Sequence, residues 1–176
     1  MENNRIEIYR EFMPKAYTSA GVIDYLKGLG YFTASASLKY HGAYEGGLFD
    51  HSLEVTKQLV NLTEKLGLEW TSPFSPYIVG MFHDLCKCDN YVKDFESNKT
   101  IWNPEIIIPG HGDKSAILAQ KITILTDEEL ACIRWHMGAY EMDPKMWDYY
   151  GRAIERYPNV LYTHTADMIA SRIVGI

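Results

Sequence analysis

His83 and Asp84 stand side by side near the end of an apolar stretch, Pro76-Tyr-Ile-Val-Gly-Met-Phe-His-Asp-Leu85, with His51, His111, His136 and Asp167 spaced around them. These four imidazoles and two carboxylates fall in five separate segments of a 176-residue chain. No one segment can build a site from them; a fold that brings several elements to a common centre can. Mixed nitrogen and hard oxygen donors suit first-row divalent ions such as iron, manganese, nickel, cobalt or zinc. The length is that of one domain, long enough to bury most of its apolar surface in a single core.

Composition narrows the partners. Hydrophobic residues make up 47% and charged residues 23%, the ordinary globular balance. A net charge of −6 argues against duplex nucleic acid as a partner, since that needs a basic face. It permits a small phosphorylated substrate, because a bound dication reverses the local field. The first residues carry no apolar run of signal-peptide length, and Ile106-Ile107-Ile108 is too short to span a bilayer. Cys86, Cys88 and Cys132 form an odd set without a disulfide framework, and Cys86-x-Cys88 lacks the second pair that a zinc site needs. Reduced thiols and a cytoplasmic location, away from membranes, are expected.

The chain reads as helices separated by Gly, Pro and Asn, an all-α pattern. Helices are expected at about residues 19–29, closed by Gly30, and at 34–40. A long one follows Gly46-Gly47 and stops near Gly67. Its Leu48, His51, Val55, Leu59 and Leu62 recur at helical spacing. Ser72-Pro73 and Ser75-Pro76 are serine-cap, proline-first starts for a helix carrying His83 and Asp84. Over about 91–106 the helical pattern lapses, and Tyr91, Val92, Phe95, Ile101 and Trp102 around Ser97-Asn98-Lys99 suggest a short hairpin. Helix resumes after Pro109-Gly110 and runs through Lys114 to Ile122. Thr126 and Glu129 form a capping box opening a helix that ends at His136. Further helices are expected at 145–155 and 160–174.

Position lifts the six residues above an arbitrary set. His51 shares the stripe of Leu48, Val55 and Leu59, and Asp167 that of Val160, Ala170 and Val174, so both point inward. An unpaired buried carboxylate costs several kcal/mol or shifts its pKa until neutral. Few cations are at hand: Arg172 lies five residues past Asp167, off its helical face, and Lys87 reaches only the neighbourhood of Asp84. A buried polar network without metal would leave most of these groups unsatisfied, whereas divalent ions satisfy them. Two ions use the set better than one. His51, His83, Asp84 and Asp167 suffice for the first, and a second sharing Asp84 takes up His111 and His136. Such pairs suit displacement at phosphorus.

The order and surroundings of these residues resemble the HD-domain superfamily of metal-dependent phosphohydrolases. The contexts are Gly46-Gly47-Leu48-x-x-His51, His83-Asp84-Leu85-x-Lys87, Gly110-His111-Gly112-Asp-Lys-Ser115, Trp135-His136-Met-Gly138 and His164-x-x-Asp167. The resemblance runs from about His41 to Ser171. It implies a single helical domain over 1–176, with the metal site in its core and the N-terminal helices of 1–40 packed on it. It assigns His51, His83, Asp84 and Asp167 to one ion, and Asp84, His111 and His136 to another. Many members have glycine at the position of Cys86, which implies a local packing change here. The Gly-Tyr-Pro extension of the cyclic-di-GMP phosphodiesterases is lacking, which disfavours that substrate.

The activity implied is hydrolysis of a phosphate mono- or diester, foremost a nucleotide, by a water or hydroxide bridging the metals, with Asp84 and Lys87 as the catalytic residues. Lys87, and with it Lys114, are candidates to bind phosphate. His41 is placed to line the site mouth and give a proton to the leaving group. His164 is a candidate to brace a ligand. The 13 tyrosines and 4 tryptophans suit either a base-stacking wall or the core. The same ligands also serve dioxygen-activating diiron oxygenases of the superfamily, and an HD fold can bind a nucleotide without turning it over.

Overall fold

A computed structural model describes residues 1–94, 96, 99–139 and 144–176, with the backbone alone at 93. Its described residues form eight α-helices and one two-stranded sheet, so the all-α expectation holds. The helices are α1 (Glu2–Phe12), α2 (Ala20–Gly28), α3 (Gly47–Leu66), α4 (Ser75–Phe82), α5 (His111–Ala119), α6 (Asp127–Trp135), α7 (Pro144–Arg156) and α8 (Asn159–Met168). Strands β1 (Tyr91–Lys93) and β2 (Thr100–Trp102) pair antiparallel, Val92 opposite Ile101, within the expected hairpin. Phe95 and the Ser97-Asn98 turn expected there lie outside the described residues.

The long helix α3 is the axis. Gly46 (φ +82°) opens it and Gly67 (φ +66°) closes it. Leu48, His51, Ser52, Val55, Thr56 and Leu59 form its buried stripe. It packs on α4 and α8, while α6 joins α5, α4 and α8. Gly80 of α4 lets α3 come close: a Cβ there would lie 2.6 Å from the Thr56 Cα. An aromatic cluster of Tyr9, Tyr31, Phe32 and Phe49 packs edge to face, and the Tyr31 hydroxyl donates to the Met81 carbonyl at 2.7 Å. Ile6 and Tyr9 from α1, and Met13 just after it, belong to the same buried core as residues of α3, α4, α6 and α8.

Side-chain caps open α2 and α6. Ser19 Oγ accepts from the Val22 amide at the start of α2, and the Thr126–Glu129 capping box is complete. Two expectations fail. Residues 34–40 are irregular: the Ser37 hydroxyl donates to the His41 carbonyl and accepts from the Tyr40 amide. Serine hydroxyls compete with helical hydrogen bonds in this way, and Gly42 (φ +61°) folds the segment back on Ala36. Ser75 does not cap α4 either. It lies inside the helix, and its hydroxyl donates to Glu129 Oε1 across the core at 2.8 Å. None of the described helices is long and apolar enough to cross a membrane.

Candidate metal centre

Five segments converge. His51 lies in the second turn of α3, His83 closes α4, His111 is the first residue of α5, His136 follows α6, and Asp167 is near the end of α8. Neighbours on an α-helix point about 100° apart, given 3.6 residues per turn. His83 and Asp84 face one centre because the helix ends between them. His83 keeps helical angles, whereas Asp84 (φ −112°, ψ 18°) leaves the helix for a 3₁₀ turn over Leu85–Cys88.

The two oxygens of Asp84 face different partners. Oδ2 lies 3.4 Å from His83 Nε2 and 3.7 Å from His51 Nε2, whose other carboxylate neighbour is Asp167 Oδ1 at 3.2 Å. Oδ1 lies 2.7 Å from His111 Nε2 and 3.4 Å from His136 Nε2. His51, His83, His136 and Asp84 are almost wholly buried.

Hydrogen bonds fix which imidazole nitrogen carries the proton. Nδ1 of His51, His83 and His136 each lies 2.7 Å from a backbone carbonyl, of Ile176, Gly80 and Ile133 respectively. A carbonyl only accepts, so these Nδ1 atoms donate, and each ring in its neutral form turns a bare Nε2 lone pair to the centre. The Nε2 atoms of all four rings and both Asp84 oxygens are buried without an aligned hydrogen bond. The Lys87 ammonium lies 2.6 Å from Oδ2, a charge at short range, yet neither Asp84 oxygen has an aligned hydrogen bond. Lone pairs aimed at a carboxylate repel, and divalent cations between them would satisfy both. The donor set therefore fits metal ions bound by nitrogen and oxygen.

Charge is arranged accordingly. Burial drives the Asp84 carboxyl up, yet in the metal-free protein the Lys87 ammonium, with His83 and His111 when protonated, outweighs it and holds the group well below the usual carboxylate range. Burial opposes ionisation of Asp167 too, and in the metal-free protein His51, His83 and His136, when protonated, override it downward. The Lys87 ammonium is disfavoured by burial, but Asp84 raises its pKa on balance.

A cavity of about 390 Å³ opens beside the centre, lined by His41, Lys87, Tyr91, His111, Met137, Asp167, Met168 and Arg172 among others. His41 stands over His51 with ring centroids 4.7 Å apart. Burial, then His51 and Lys87, lower its pKa to about 4. The other two candidates lie elsewhere. Lys114 is buried, pairs with Asp89 and does not line the cavity. His164 donates through Nδ1 to the His136 carbonyl at 2.7 Å, so it touches a candidate ligand's backbone and not its ring.

Sequence reasoning missed Met137, Met168 and Arg172. The two methionines are sequence neighbours of His136 and Asp167, which was the available signal. Arg172, expected off the face of Asp167, lines the same cavity because Ile169–Val174 is a π-helical turn. Its i→i+5 winding returns a residue five places on to the same side.

No model of a known protein family matches this chain, and no solved structure matches it. Over 85 residues, 46% of its length, it is 35% identical to a dihydroneopterin 2′,3′-cyclic phosphate phosphodiesterase of Methanocaldococcus jannaschii. The match spans about a third of that protein, 32%. A relative of this chain is thus a phosphodiesterase, a hydrolase of phosphoric esters.

Proposed function

We propose that this protein is a metal-dependent phosphohydrolase of the HD type, holding two divalent ions that share Asp84. One observation carries this reading: each oxygen of a single buried aspartate faces its own pair of imidazoles, three of them held by backbone oxygens so that Nε2 turns inward. His51, His83, Asp84 and Asp167 would hold the first ion, and Asp84, His111 and His136 the second. When bound, such ions supply a water of lowered pKa and positive charge for the phosphate oxygens.

The remaining chemistry belongs to the chain. Lys87 lines the cavity and places a point charge where a phosphate oxygen can meet it. His41, with a pKa near 4, is neutral at pH 7, so it serves as a neutral hydrogen-bond partner at the leaving oxygen and not as a charged proton donor. Tyr91, Met137 and Met168 give the cavity apolar walls, and about 390 Å³ falls in the range of small-ligand pockets. That combination suits a small phosphate ester with a flat organic group, a nucleotide foremost. The relative's cyclic phosphate substrate favours a diester.

The test is Mn²⁺-loaded protein against 2′,3′-cyclic nucleotides, nucleoside monophosphates and bis(p-nitrophenyl) phosphate. Hydrolysis of at least one ester is expected, lost on chelation, regained with Mn²⁺ and absent in Asp84→Asn. Oxygen uptake by an iron-loaded sample with every ester intact would instead make it an oxygenase. Nucleotide binding without turnover would make it a binding module.

A further inference from the structure

His111 is held unlike the other three imidazoles. His51, His83 and His136 have wholly buried rings, each donating Nδ1–H to a backbone carbonyl. The His111 side chain is 30% exposed, and its Nδ1 lies 3.0 Å from the sulfur of Cys86. Standing first in α5, it has no preceding turn of helix to supply a carbonyl. Cys86 is itself anchored: its amide donates to Ser115 Oγ at 3.1 Å, and the Asn90 side-chain amide approaches its sulfur at 3.9 Å.

We propose that Cys86 is the positioning residue for His111, and that through it the chain sets how tightly the second ion is held. This rests on the reading of two ions sharing Asp84. Asp84 Oδ1, in a side chain 1% exposed and without an aligned partner, lies 2.7 Å from His111 Nε2 and marks where that ion is held. The two nitrogens of an imidazole point to opposite edges of the ring. Sulfur against Nδ1 is therefore across the ring from an ion on Nε2 and acts by orienting His111, not as a ligand. A thiol sulfur is a weaker acceptor than a carbonyl oxygen. The second ion, with fewer protein ligands and this softer support, is the more exchangeable of the two.

Equilibrium dialysis against Mn²⁺, with metal counted per chain, tests this. Wild type takes up two ions, one tightly and one weakly. Cys86→Ala and Cys86→Val remove the acceptor, one leaving its space open and the other filling it. Both are expected to weaken the second step by about tenfold or more, the usual cost of losing a ligand's support, and to leave the first unchanged. Cys86→Ser, which keeps an acceptor, restores most of the loss. Melting curves of the metal-free variants identify any that is misfolded. An unmoved second step in a folded Ala or Val variant, or both steps weakening together, overturns the role of Cys86. Wild type taking up a single ion overturns the two-ion reading, and this inference with it.

Discussion

The Lys87 ammonium sits 2.6 Å from Asp84 Oδ2 in a place where both side chains have lost nearly all their water. The pair explains how a wholly buried carboxylate stays ionised, and it gives Lys87 two separable jobs. In chelator-treated protein, Lys87→Met would leave Asp84 with less compensation, and a loss of about 3 kcal/mol is expected, as for breaking a buried pair from one side. Metal-loaded protein should lose less, because the ions supply the missing charge. Asp84, with its depressed pKa, contributes its stability above about pH 4, and that stability is lost only as pH falls through the folded value. Lys87, with a raised pKa, contributes below about pH 10 and loses its part as pH rises through the folded value. Urea melts at pH 7 with and without Mn²⁺ measure the difference inside both windows. If Lys87 also binds phosphate, kcat/KM in the loaded variant falls about tenfold or more, the worth of a charge-assisted hydrogen bond. Equal melts and equal kcat/KM would reduce Lys87 to a bystander.

Helix ends, more than helix faces, carry this centre. His83, His111 and His136 lie at the first residue of a helix or just beyond its last, where the backbone is free to turn a side chain. Gly112 shows how tightly that is controlled: an added Cβ would run into the Arg134 carbonyl, in the last turn of α6. Gly112→Ala should therefore force α5 from α6, cost about 1–3 kcal/mol as overpacking does, and part His111 from His136. Denaturant melts and Mn²⁺ counted per chain check this; unchanged stability with two ions retained would show that α5 yields freely. Helical spacing made α3 and its inward His51 legible in the sequence, and capping chemistry made the start of α6 legible. Competition defeated the reading elsewhere. At 34–40 the Ser37 hydroxyl and a left-handed glycine displace the expected helix, and Ser75, well suited to cap α4, is drawn inside by buried Glu129. The π turn that brings Arg172 to the cavity has no local signature.

Across the whole molecule, the order and local contexts of six polar residues along the chain were enough to foresee which would meet: apolar stripes turn His51 and Asp167 inward, and the other four stand at helix ends. The walls of the cavity were not foreseeable in the same way: Met137, Met168 and the His111–Cys86 contact depend on how helices dock. A centre of inward lone pairs and ionised aspartates strains the core until cations fill it, so metal should act as a stabiliser. Mn²⁺ at about a hundred times its dissociation constant should add roughly 2.7 kcal/mol and raise the melting temperature. A melting curve indifferent to both Mn²⁺ and chelator would count against a resident ion. The place of His51 and Asp167 has a kinetic corollary. They come from α3 and α8, elements far apart in sequence, with side chains 3.2 Å apart. An ion gripping both would act as a clasp. Opening of α8, otherwise a local event with its own small free energy, would have to wait for the clasp to release, and its amide hydrogens would then exchange with solvent no faster than the metal departs.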